Sequence, residues 1–313
     1  MGKVLLTEYN ISNKKLKEKT TIASIADAHS EYEKLERIKD ILKDLKITKV
    51  LIAGDMIESV AGSDYQRDKI VELLQEISKF ATIVYSHGNH DTVYPEAEPE
   101  ENRERLLENN YRLWAKLKDT DNIIMPKLPD NTSNVIKTSL TSDIDVSSIS
   151  IPPNYYYFRE SPMAYEIYIR SLDMLRLDAE KFNILLAHSP KNAINGNTID
   201  EYLKSIKRFN LIVTGHMHSG LIPNGLRNKS RRGLLGPGKK VFPENSYGIV
   251  QDEDTVAMIN GGITKLASGS FGAPLRSVPG MNKLLDKVYP PEIDIINLFP
   301  GDNTVNKVKE LKI

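Results

Sequence analysis

Short apolar runs alternate with longer amphipathic stretches through the first third of the chain. Thr21 to Ala26 (TIASIA) reads as a buried strand, and from Glu31 to Lys46 the residues Leu35, Ile38, Ile41, Leu42 and Leu45 recur at helical spacing. Lys49 to Ala53 (KVLIA) predicts the next strand, Asp64 to Phe80 a helix with Ile70, Leu73, Leu74 and Ile77 inward, and Thr82 to Tyr85 a third strand. Strand and helix alternate, which predicts a parallel sheet covered by helices.

Beyond Thr92 the pattern is less regular. The acidic stretch YPEAEPEENRER reads as a solvated loop entering a helix near Arg103 to Leu117, where acids suit the N-terminal dipole. Strands are expected near Val135 to Leu140 and Val146 to Ile151. The aromatic run Tyr155-Tyr156-Tyr157-Phe158 is either a half-buried strand or the wall of a ligand pocket. Phe182 to Ala187 and Leu211 to Thr214 read as strands, with a helix near Ile199 to Lys207 between them. Gly248 to Val250, Val256 to Ile259 and Glu292 to Leu298 predict strands of a second, less parallel sheet. No period of 20 to 50 residues repeats and no low-complexity linker divides the chain, so residues 1–313 are expected to form a single domain.

Composition adds exclusions. Apolar residues at 40% and charged residues at 27% suit a soluble globular protein, and 42 acids balance 42 bases, which argues against an extended nucleic-acid surface. There is no cysteine, so disulfides, thiolate metal sites and thiol nucleophiles are excluded. The apolar run Val4 to Leu6 is too brief for a signal peptide or a membrane span, and a cytoplasmic location is expected.

The 6 histidines change the picture most. All fall in Asp27-Ala28-His29, Ser86-His87-Gly88-Asn89-His90-Asp91, Ala187-His188-Ser189 and Gly215-His216-Met217-His218, each at the end of an apolar run, with a histidine-free companion in Gly54-Asp55. In an open α/β sheet ligands collect at the carboxyl ends of strands, so these endings can converge on one edge. Asp27, His29, Asp55, Asn89, His188, His216 and His218 offer more donors than one four- to six-coordinate ion needs, and two ions are implied. Spacing of two in Asp27/His29 and His216/His218 would put each pair on one side of extended backbone. Mixed carboxylate, amide and imidazole donors suit Mn²⁺ first, with Fe and Zn²⁺ as alternatives.

In this order the motifs DxH, GD, GNHD, a lone H after an apolar strand and GHxH resemble the calcineurin-like metallophosphoesterase family from Asp27 to His218. The resemblance implies a four-layer α/β/β/α sandwich. It implies that Asp27, His29 and His218 bind one ion, Asn89, His188 and His216 the other, and that Asp55 bridges them. It further implies phosphoester hydrolysis, a diester or pyrophosphate in the first instance, by attack of a metal-bridging hydroxide, with His90 assisting the leaving group and Asp91 orienting it. The segments Leu234 to Pro243, Tyr247-Gly248 and Pro290 to Ile293 resemble a bacterial branch of cell-envelope phosphodiesterases and UDP-2,3-diacylglucosamine pyrophosphatase-like enzymes. That branch often reads GHTHGGQ where this chain has Gly215-His216-Met217-His218-Ser219-Gly220-Leu221, which puts the substrate pocket, not the ligand set, in question.

Other residues invite competing readings. His87 is either a substrate contact or a supporting histidine, and Glu58, three residues after Asp55, reads as a polar residue at a helix start. Residues 202–243 contain no acid and many bases, read either as an anion funnel or peripheral membrane contact or as a solvated loop. Arg231 and Arg232 are its candidates for gripping a second phosphate, and the expected partner is a phosphorylated small molecule or a lipid head group. A phosphomonoesterase or protein phosphatase and a non-catalytic metal-binding scaffold are the rival functions.

Overall fold

The structure, a computed structural model, describes residues 3–58, 63–92, 100–129, 134–152, 156, 162–190, 194–195, 198–199, 206–229, 232–237, 240–264 and 281–313. In chain order the strands are β1 (Leu5–Asn13), β2 (Thr20–Ile25), β3 (Lys49–Ile52), β4 (Thr82–Tyr85), β5 (Ile123–Ile124), β6 (Asn134–Ser139), β7 (Ile144–Ser150), β8 (Phe182–Leu186), β9 (Ile194–Asn195) and β10 (Thr198–Ile199). They continue with β11 (Leu211–Thr214), β12 (Leu235–Gly236), β13 (Lys240–Val241), β14 (Gly248–Asp252), β15 (Thr255–Ile259), β16 (Glu292–Pro300) and β17 (Thr304–Lys312). The helices are α1 (Tyr32–Asp44), α2 (Asp64–Ser78), α3 (Glu100–Lys118), α4 (Pro162–Asp173) and α5 (Met281–Val288). Among the described residues no helix is long and apolar enough to cross a membrane.

Two mixed sheets dominate. One runs β17-β1-β16-β2-β3-β4-β5, with β2 to β5 parallel as the alternation predicts. The other runs β14-β15-β11-β8-β7-β6. Alternate side chains of one strand feed different cores, because successive residues point to opposite faces. Leu51 and Val84 face Ile184, Leu186, Leu211 and Val213 between the sheets, while Val50, Ile52, Ile83 and Tyr85 face Leu35, Ile38, Leu74 and Trp114 of α1 to α3. On the far side Leu185, Ile212 and Ala257 pack on Tyr168 and Leu172 of α4. Three cores between four layers give the α/β/β/α sandwich.

Three placements differ from the sequence reading. Glu292 to Pro300 does not join the second sheet; β16 lies in the first, parallel to β1 and antiparallel to β2. Its apolar face, with Ile296 and Leu298 buried between the sheets, would suit either sheet, so composition does not choose. Leu5–Asn13 is a full strand that the short Val4 to Leu6 run conceals, since its later positions alternate apolar with polar. Of the helix expected near Ile199 to Lys207, Ile199 lies in β10 and Ile206 and Lys207 in a 3-10 turn at Ile206–Arg208, while residues 200–205 lie outside the described residues.

Candidate metal centre

The loops that leave β2, β3, β4, β8 and β11 meet at one edge of the paired sheets, and the described side chains of all seven predicted ligands lie there. Asp27, His29 and His218 form one group with metal-ligand spacing, Asp55, His188 and His216 a second, and His29, Asp55 and His90 a third. Asp55 and His29 each belong to two of the three, so between them they link the groups. The third group gives His90 ligand reach as well. Asn89 is buried beside them, and its Oδ1 has no hydrogen-bond partner.

Convergence is not achieved by extended backbone. Asp27 (φ 57°), His29 (φ 48°), Asp55 (φ 54°), His216 (φ 69°) and His218 (φ 48°) all adopt left-handed backbone, where a side chain costs energy that surrounding contacts must offset. Those contacts are present. Asp27 N donates to Gly54 O, His29 N to Asp55 O and Gly215 N to His188 O, so each loop is braced by a neighbour. Gly54 (φ 83°) and Gly88 pack so closely that a Cβ on Gly88 would stand 2.1 Å from Asp55 Oδ1. Both glycines therefore serve close contact between loops.

Ring orientation is fixed from outside. Nδ1 of His188 meets the Ala53 carbonyl at 2.6 Å, Nδ1 of His218 the Thr264 carbonyl at 2.6 Å, and Nδ1 of His29 a Glu58 carboxylate oxygen at 3.1 Å. A carbonyl or carboxylate accepts, so Nδ1 carries the proton and Nε2 is left facing the site. His188 Nε2 then lies 3.0 Å from both Asp55 Oδ2 and His216 Nδ1. Such crowding of acceptors calls for a cation. A proton answers in part: burial pushes His188 down, but Asp55 outweighs it and lifts the imidazole to about 9. His29 Nε2 and Asn89 Oδ1 are buried without a hydrogen bond of their own. Orphaned buried acceptors on a donor set of carboxylate, amide and imidazole fit divalent metal ions. Burial, offset in part by His188, raises Asp27 to about 6, another charge awaiting a positive partner.

The carboxylate that orients His90 is Glu58, not Asp91. Glu58 Oε1 lies 2.9 Å from His90 Nδ1, and its other oxygen holds His29. Asp91 points away from the ring and accepts from the backbone amides of Asp55, Ile57 and Gly88 and from the Tyr85 hydroxyl. It thus ties the β3 and β4 loops together. Glu58 is buried rather than a surface polar residue at a helix start, and α2 begins only after Ser63, whose hydroxyl caps the Gln66 amide. The signal for it was an acid inside the apolar run of Asp55-Met56-Ile57-Glu58.

Remaining predictions sort quickly. His87 is a packing residue: fully buried, bonded through Nδ1 to Ser150 Oγ at 2.7 Å, edge-on to Trp114, and pushed by burial down to about 3. Trp114 does more than pack, since its indole N–H donates to the Asp91 carbonyl. Tyr156 is not on a strand; its ring lies 5.8 Å from His188 and 5.6 Å from His216, as a wall of the site. Tyr155, Tyr157, Phe158 and Arg231 lie outside the described residues. Arg232 pairs with Glu244 at 2.6 Å, Arg227 with Glu292, and Lys207 with Asp252, so acids from elsewhere pair with three of the nine bases of this stretch. Met217 and Ser219 are buried, Met217 near Gly236 and Ser219 against Glu292.

A family model described as calcineurin-like phosphoesterase matches residues 20–220. No curated protein matches the sequence. Among solved structures, a dimetal phosphatase from Danio rerio is 9% identical, with 79% of this chain and 88% of that one covered and a TM-score of 0.40. A novel archaeal phosphodiesterase is 9% identical over 81% and 88% of the two chains, TM-score 0.34. GAP50, the anchor in the inner membrane complex of Plasmodium, is 12% identical over 79% and 72%, TM-score 0.39.

Proposed function

The chain belongs to the calcineurin-like phosphoesterase family and is a hydrolase, and from that premise we propose that it cleaves a phosphodiester or pyrophosphate bond at two divalent ions. Asp27, His29 and His218 would hold one ion, Asn89, His188 and His216 the other, and Asp55 both, with Mn²⁺ the best match to the donors. Bound ions would supply a water activated near neutrality and a clamp on phosphoryl oxygens.

The observation that carries the hydrolytic reading is the His90–Glu58 pair. Burial lowers His90, but Asp55 and Glu58 raise it to about 9 in the metal-free chain, and Glu58, which would hold no ion, continues to favour the imidazolium. With Nδ1 engaged by Glu58, the Nε2–H is the one presented to the site, where a departing alkoxide needs it. Backbone fixes the same residue, since His90 N donates to Asp55 Oδ1 at 2.7 Å. The expected substrate is a phosphorylated small molecule or lipid head group.

The test loads the full chain with Mn²⁺ and compares bis-p-nitrophenyl phosphate, p-nitrophenyl phosphate and a nucleotide-sugar pyrophosphate. Diester or pyrophosphate turnover should exceed monoester turnover by at least about tenfold, a difference of roughly 1.4 kcal/mol in transition-state stabilisation. Preference for the monoester, or two bound ions without turnover of any of the three, overturns the proposal.

A further inference from the structure

Behind the metal-facing side of the His216–His218 turn lies a buried ion pair that the chemistry above does not use. Arg227 and Glu292 are 3% and 2% exposed, and the guanidinium grips the carboxylate with both ends, Nη1 to Oε2 at 2.6 Å and Nη2 to Oε1 at 2.7 Å. The guanidinium also lies 4.2 Å from the centre of the Tyr247 ring, and the Tyr247 hydroxyl donates to the Arg227 carbonyl. Burial opposes the charged guanidinium, yet Glu292 raises its pKa further.

Glu292 touches both loops that frame the Asp27–His29–His218 group. Its Oε2 accepts from Ser219 Oγ at 3.1 Å, the residue directly after His218. Its backbone N donates to the Gly262 carbonyl at 3.2 Å. A Cβ on Gly261 would stand 1.7 Å from Glu292 Oε2, so the carboxylate lies flush under the Asn260–Thr264 loop. That loop in turn carries the Thr264 carbonyl that orients His218, and its Thr264 N donates to the Asp27 carbonyl.

We propose that Arg227, Glu292 and Ser219 are positioning residues for the Asp27–His29–His218 ion, a role that rests on the two-ion reading. As a stability device the pair is a weak choice, because desolvating both charges offsets much of their attraction and apolar replacements do as well. As a geometric device it answers a need. His218, Ser219, Gly220 and Leu221 are consecutive left-handed residues, φ 48° to 59°, a backbone that holds only when its surroundings over-determine it. The clamped carboxylate supplies that restraint from one side and the Thr264 carbonyl from the other. Supporting residues of this kind are worth about 10- to 100-fold in metal affinity.

Ser219→Ala cuts the link to the turn while leaving the ion pair, and Glu292→Gln loosens the pair itself. For each variant and the wild type, Mn²⁺ stoichiometry and affinity are read by calorimetry, coupling between ions by electron paramagnetic resonance, and folding by urea titration of the chelated chain. In both variants one ion should weaken by at least about tenfold, and the exchange-coupled signal should give way to the six-line pattern of an isolated Mn²⁺. Folded variants that bind two ions with wild-type affinities and coupling overturn the inference and leave the two-ion reading standing. A wild type that binds fewer than two ions overturns both.

Discussion

Replacing Glu58 by glutamine preserves shape and removes the charge that His29 and His90 share. Burial favours the neutral acid, but hydrogen bonds from the two imidazoles outweigh it and hold Glu58 at about 2, against an ordinary 4.5. At roughly 1.4 kcal/mol per pKa unit, that downward shift corresponds to about 3 kcal/mol of preference for the carboxylate, divided between two rings. Each ring then loses on the order of 1.5 kcal/mol of that interaction, which for His90 is about tenfold in its cationic form. A glutamine presents an oxygen to one ring and an amide N–H₂ to the other, so one imidazole also loses its acceptor. If His90 delivers the leaving-group proton, the cost depends on the leaving group. An alkoxide should lose about 10²-fold in kcat, within the range of general acid catalysis, whereas p-nitrophenolate, which departs unprotonated, should lose under about tenfold. The assay is a series of diesters of graded leaving-group pKa, with Mn²⁺ content measured on the same samples. An equal loss across the series refutes the role of Glu58 in proton delivery; an equal loss with one ion missing moves its effect to His29.

Two further outcomes follow from the geometry. Gly88→Ala places a methyl 2.1 Å from Asp55 Oδ1, so it should displace the central carboxylate and reduce Mn²⁺ content at both positions; retention of two ions by elemental analysis would show that the loops can part. Stability of the chelated protein should be nearly flat from about pH 5 to 6 and fall from pH 6.5 to 9. His90 and His188, lifted to about 9 by Asp55 against burial, contribute fully below the unfolded value of 6.5 and lose that contribution as pH rises through 9. His87 and His218, lowered to about 3 by burial, lose their contribution as pH falls below 6.5, but Asp27 and Asp91, raised by burial to about 6 and about 7, take up protons over the same range and offset that loss. Urea titrations from pH 5 to 9 read the curve, and stability that rises above pH 6.5 contradicts it. Mn²⁺ should restore the alkaline side, because binding needs the deprotonated imidazole.

Periodicity made the first sheet legible because β2, β3 and β4 are buried on both faces and therefore read as unbroken apolar runs. The same rule hides β1 and β17. Thr304–Lys312 is an edge strand, mostly exposed and rich in lysine, which guards an edge but leaves no apolar signal. Helix α4 was not anticipated, since apolar and aromatic residues such as Tyr165, Ile167 and Tyr168 suit strand as well as helix. The ligands were legible for a different reason: metal chemistry restricts residue type, and each sits two to four positions beyond a strand end.

What surrounds the ligands was far less legible, because it depends on contacts between residues distant in the chain. A carbonyl on Ala53 or Thr264 orients a histidine as well as any side chain, yet every residue has a carbonyl and none advertises the role. Asp91 and Glu58 show the same limit with charged groups. The family resemblance paired Asp91 with His90, but left-handed backbone at Asp55 turns the following residues so that Glu58, 32 positions before His90, reaches the ring. Strained turns and their outside supports are thus two halves of one arrangement. The turns aim donors inward, and Glu58, Asp91 and Glu292 hold them there, which is why these three acids rather than the ligands themselves separate the preorganised site from a mere collection of histidines.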